Sequence, residues 1–144
     1  MTERIDLLQS LADAHERLIT PAMKAAARGV NGSRGPREVL AHIVGWEVIA
    51  IACLPGLLPG EAPAPLTYDA MNLAMVTLIG EQPIEVFRDM LYQTHQRFLN
   101  MPEVQDEASF VPGHPIFERT LAAIGHCVEH VRELDRSSGQ TVFQ

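Results

Sequence analysis

Ile116-Phe-Glu-Arg-Thr-Leu-Ala-Ala-Ile-Gly-His-Cys-Val-Glu-His-Val-Arg-Glu-Leu-Asp-Arg136 is the stretch whose reading decides the fold class. Phe117, Leu121, Ile124, Val128 and Val131 recur every three or four residues, which lines one side of an α-helix and matches no strand. Such a helix carries an apolar stripe that must be buried against other elements.

Working backward, Met101-Pro102 to Pro115 holds three prolines, Gly113 and several acids, and reads as a loop. Before it, Pro83 opens a helix that runs to about Asn100, with Ile84, Phe87, Leu91, His95 and Phe98 as its inner stripe. Asp69 is placed to cap a short helix from Ala70 to Ile79. Between Pro55 and Pro65, four prolines and two glycines in eleven residues exclude a helix or central strand, so a long loop or lid is expected.

The next segment, Pro36 to Leu54, begins with proline at the first helical position and is almost wholly apolar after Ala41, so burial on several sides is expected. Asn31-Gly-Ser-Arg-Gly-Pro36 forms the preceding turn. The first segment runs from Thr2 as N-cap to Gly29, with Ile5, Leu8, Ala12, His15, Ile19, Ala22 and Ala26 on one face. Pro21 lies inside it, and a kink or break is expected near Leu18 to Thr20. Four principal helices, no period-two segment and long connections predict a single all-α domain, a four-helix bundle over residues 1–136 followed by a frayed tail, 137–144.

The composition fits this class. Of 144 residues, 47% are hydrophobic and 20% charged, as in ordinary globular proteins. The net charge of −7, with no basic cluster, disfavours nucleic acid and anionic membrane surfaces as partners. The longest uncharged apolar stretch, Val48 to Leu58, contains Pro55 and Gly56 and is too short to span a bilayer. Nothing near Met1 resembles a secretory signal, so a cytoplasmic location is expected. Cys53 and Cys127 both fall on apolar helical patterns and are expected as buried free thiols.

Histidines carry the candidate chemistry. His126 and His130, four residues apart, project from one side of the last helix with the bite that a zinc- or nickel-like cation accepts. His42 shares a face with Val39, Trp46, Ile49 and Cys53 and points inward. Taken singly, a residue placed like His42 is more often a satisfied core histidine, and an isolated pair spaced like His126 and His130 is more often a helix-surface coincidence than a ligand pair. Three inward or edge imidazoles must nonetheless be satisfied by hydrogen bonds, by one another or by a cation.

Glu38-Val-Leu-Ala-His-Ile-Val-Gly-Trp-Glu47 and Ile124-Gly-His-Cys-Val-Glu-His-Val-Arg-Glu-Leu134 resemble the motifs of the DinB/YfiT-like superfamily. The resemblance covers nearly the whole chain, including Tyr68-Asp-Ala-Met-Asn72. It departs before the second helix, where Ser33-Arg-Gly-Pro36 stands in place of a tryptophan-containing segment. It implies an up-down-down-up bundle and a divalent metal, zinc or nickel foremost and manganese or iron also in range, held by His42, His126 and His130. It also implies thiol-dependent transfer or isomerisation on a small-molecule substrate, with a low-molecular-weight thiol such as bacillithiol or mycothiol as cofactor, and pairing as a homodimer.

Four further residues are candidates for support of the metal or contact with substrate. His95 faces with Leu91 and Phe98 and could extend the metal sphere. Glu38 and Glu47 flank His42 and could orient an imidazole, although surface acids at such positions are commonly just solvated. Arg119 could hold an anionic group or take a surface ion pair. Trp46 packs in the core or lines the pocket, and His15 and His114 read as structural or exposed. The functions left open are a metal-dependent transferase, isomerase or hydrolase, a non-catalytic small-molecule-binding protein with Met71, Met75 and Trp46 as pocket walls, and a stress-response interaction protein. No catalytic residue is assigned.

Overall fold

Thr2 opens the chain's first helix, its hydroxyl accepting from the Ile5 N–H. This helix, α1, spans Glu3–Ala27. It ends in a glycine stop: Gly29 has φ +80°, Val30 N–H donates to the Ala25 carbonyl and Gly29 N–H to that of Ala26. The computed structural model describes residues 2–30, 35–61 and 82–142, with side chains through 136. The expected turn at 31–34, the loop beyond Glu61, Tyr68 to Asn72 with Met71, Met75, and the helix at 70–79 lie outside the described residues.

The expected break at Pro21 does not occur, and α1 passes through it. The carbonyl that Pro21 deprives of a donor belongs to Arg17, an exposed residue, so water can reach it. Leu18 and Ile19 before the proline and Ala22 after it are buried in one core cluster and hold the helix together. The buried face of α1 also includes Leu11 and Ala14, whereas Ile5 is exposed.

Helix α2, Pro36–Cys53, begins with proline as expected. Val39, Leu40, Ala41, Ile43, Val44 and Gly45 are all buried, so its first half is enclosed on several sides. Helix α3, Ile84–Leu99, buries Ile84, Phe87, Leu91, Thr94 and Phe98. The connection after it is more ordered than a loop: a short helix α4, Pro102–Gln105, and a 3-10 turn, Glu107–Ser109, bury Val104, Ser109 and Phe110.

Helix α5, Pro115–Val142, continues past the expected end at Arg136. Its first turn is capped by His114, whose Nδ1 accepts from the Ile116 N–H, while Glu118 accepts from the Gly113 N–H. The buried side of α5 differs from the expected stripe. Ile116, Thr120, Ala123, Cys127 and Leu134 are buried and Phe117, Ile124 and Val131 partly so, but Leu121 and Val128 are each 42% exposed. Thr120 is admitted to the interior because its hydroxyl donates to the Ile116 carbonyl at 2.7 Å.

Among the described residues there is no strand, and the four long helices pack on one another, α1 most closely on α5 and α2 on α3. Two apolar clusters fill the space between them. One joins Leu18, Ala22, Val39, Ile43, Phe87, Leu91 and Leu134. The other joins Leu11, Leu54, Phe98, Met101, Phe110 and Ile116. Gly60 N–H donates to the Gly113 carbonyl at 2.8 Å, tying the start of the Pro55 loop to the turn before α5. No helix among the described residues is long and apolar enough to cross a membrane.

Candidate metal centre

His42 comes from the first half of α2, and His126 and His130 from one side of α5, one turn apart. The three imidazoles, far apart in sequence, meet. Their ring centroids lie 4.7 to 4.9 Å from one another, each pair edge to face. His126 Nε2 is the hub, 2.9 Å from His42 Nε2 and 3.1 Å from His130 Nε2. All three residues are half-buried.

Three Nε2 atoms facing one another at such distances are hard to satisfy by protons alone, because each neutral ring nitrogen offers either one N–H or one lone pair. A cation about 2.1 Å from each lone pair resolves the conflict and sets nitrogens roughly 3 to 3.4 Å apart, close to the spacing observed. The donor set therefore fits a borderline divalent metal.

Two features prepare these rings as lone-pair donors. Glu133 sits 2.8 Å from His130 Nδ1 and accepts its N–H, which fixes the tautomer that leaves Nε2 free to ligate. His126 has its pKa lowered to about 3, first by burial, then by the proximity of His130, His42 and Arg119. It stays neutral at ordinary pH. Trp46 stands edge-on to His42 with centroids 6.4 Å apart and forms a wall beside the cluster.

The other candidates divide differently. Glu38 is engaged by its neighbour Arg37, whose Nε and Nη2 donate to Oε1 at 3.0 and 2.7 Å. Glu47 is not a solvated surface acid. It is buried and accepts from His15 Nε2 at 2.7 Å, across from α1, so the imidazole it orients is that of His15. His95 belongs with that pair, its ring 4.9 Å from and edge-on to His15, and not with the three-histidine cluster. Its pKa is lowered, chiefly by burial and then by His15. Arg119 lines a small cavity together with His15, Glu47 and His95, while its charge still acts on His126.

Cys127 is fully buried, with its thiol pushed up to about 12 by desolvation and by Glu47. Cys53 is a half-buried free thiol. Sequence reasoning passed over Glu133, although its position three residues after His130 is a legible signal. The His15–Glu47 pair spans 32 positions and two helices, and carried no such signal. No protein-family model, curated protein or solved structure matches this chain, so the reading of its function rests on the geometry of its own residues.

Proposed function

We propose that this is a divalent-metal protein of the DinB/YfiT-like type, in which His42, His126 and His130 hold the ion and a small molecule is the substrate. The observation that carries the reading is the convergence of the three Nε2 atoms, 2.9 and 3.1 Å from a common hub. An ion bound by three imidazoles keeps at least one position open and lowers the pKa of a water or thiol taken up there. Zinc or nickel suits the nitrogen set best, with manganese and iron as weaker candidates.

The residues of the chain prepare that chemistry in defined ways. Glu133 holds His130 in its ligating tautomer, burial keeps His126 unprotonated, and the Trp46 indole shields one side of the cluster. Transfer, isomerisation or hydrolysis with a low-molecular-weight thiol or water as nucleophile is the reaction class that follows. The up-down-down-up topology belongs to the same proposal. It is supported by Leu11 and Ile116, early in α1 and α5, sharing a core cluster with Leu54, just past the end of α2, and Phe98, late in α3. The reading carries with it a cytoplasmic location and a homodimer, which sedimentation tests.

Elemental analysis of purified protein tests the central claim. One equivalent of metal at this site is expected in the wild type, with loss in His126→Ala and His42→Ala. Failure of the wild type to take up zinc, nickel, manganese or iron would end the proposal. Metal-dependent consumption of a thiol and an electrophile separates an enzyme from a binding protein, which would show ligand-induced thermal stabilisation unaffected by chelation.

A further inference from the structure

We propose that His15, Glu47 and Cys127 form a second cation site, separate from the three-imidazole cluster, which takes one borderline-soft divalent ion of the zinc type. The three side chains come from α1, α2 and α5 and are all buried, and their ligand atoms lie within 4.8 Å of one another. Four-coordinate zinc holds its ligand atoms roughly 3 to 4 Å apart, at bond lengths of about 2.0 to 2.3 Å. The ion takes the place of the proton now shared between His15 Nε2 and Glu47 Oε1 at 2.7 Å, and that contact opens as the sulfur draws in.

The space beside the site is small. His15 and Glu47 border a cavity of about 20 Å³ that also reaches His95, Arg119 and the apolar side chains of Leu11 and Phe98, with Cys127 outside its lining. That admits one water-sized occupant, whereas pockets for organic ligands run to hundreds of cubic ångströms. His95 adds an independent sign of a missing partner, because its Nδ1 is buried with no hydrogen bond and its ring stands edge-on to His15. A bundle interior filled for stability alone would hold apolar side chains here, since a buried carboxylate is costly even when paired.

Charge and ligand chemistry narrow the ion. On binding, the His15 ring proton moves from Nε2 to Nδ1 by exchange with solvent, a metal–sulfur bond forms as the S–H bond breaks and the thiol proton leaves to bulk water, so that a neutral imidazole, one carboxylate and one thiolate match the two charges of the cation. A nitrogen, oxygen and sulfur set selects zinc-type metals over magnesium and calcium, which demand oxygen. The site shares no ligand with the first and stands or falls separately from it.

Cobalt(II) titration of chelator-stripped protein reads the two sites apart, because only a thiolate ligand produces a strong near-ultraviolet charge-transfer band. The expected result is two cobalt ions per chain, with the band present in the wild type, in Cys53→Ser and in His126→Ala, and absent in Cys127→Ser. Glu47→Gln, which preserves shape, should weaken the band-forming step at least tenfold. It carries the test if circular dichroism shows Cys127→Ser unfolded. No band at saturating cobalt, a band that survives in Cys127→Ser, or a band lost in His126→Ala overturns the proposal. One cobalt per chain with the band would instead mean that the three-imidazole reading had failed.

Discussion

The His15–Glu47 pair offers the sharpest test of how this interior is held together. Its side chains are only 4% and 10% exposed, and the pair joins α1 to α2 through a 2.7 Å contact. Replacing His15 with leucine leaves the Glu47 carboxylate buried without its imidazole donor, and a broken buried pair costs about 3 to 5 kcal/mol. For a chain of this size that is a fall in melting temperature of roughly 10 °C, at 2 to 4 °C per kcal/mol. Glu47→Gln keeps an acceptor in place and should cost less, about 1 to 2 kcal/mol. The double variant His15→Leu/Glu47→Leu removes both partners together and should lie within about 1 kcal/mol of the wild type, since apolar replacement of a buried pair is often neutral. Urea unfolding of the wild type, His15→Leu, Glu47→Leu and the double variant in the presence of chelator, followed by helical circular dichroism, supplies all four corners of the double-mutant cycle. A His15→Leu cost below about 1 kcal/mol, or a double variant no better than the sum of its two leucine singles, would refute the reasoning, because coupling of about 2 kcal/mol or more is what direct contact requires.

Acid should destabilise the metal-free protein through His126. Its folded pKa of about 3 lies below the ordinary 6.5, so the unfolded chain binds the proton more readily, and the contribution is whole above pH 6.5 and lost as pH falls toward 3. After allowance for partial exposure this amounts to about 1 to 2 kcal/mol between pH 7 and 5, and urea midpoints should show a shallower pH slope in His126→Gln. Trp46, 6.4 Å from His42, should lose fluorescence when nickel or cobalt binds the three-imidazole cluster, and unchanged emission on proven binding would put the metal elsewhere. Packing on α5 can be checked by pairing Ile116→Ala, expected to cost about 2 to 5 kcal/mol, with Leu121→Ala at 42% exposure, expected within about 0.5 kcal/mol. Thr2→Ala removes the hydroxyl that caps α1 and should cost about 1 kcal/mol in thermal unfolding.

Much of the architecture is written locally. Pro36, Pro83 and Pro115 mark the starts of α2, α3 and α5, and Gly29 the stop of α1, because a proline ring or a left-handed φ constrains the backbone whatever surrounds it. The four-residue spacing of His126 and His130 likewise follows from helical periodicity alone. Which side of α5 faces inward is another matter. Apolar residues lie on several sides of that helix, and its neighbours, not its periodicity, choose Ala123 and Cys127 over Leu121 and Val128. Glu47 is a surface acid by local pattern and an interior one by tertiary contact, because only the approach of α1 brings His15 to it. The sequence alone determined where the four long helices begin and that His126 and His130 share a side of the last one. The tertiary structure decided which side chains lose their water, since desolvation depends on what packs against a residue from elsewhere in the chain.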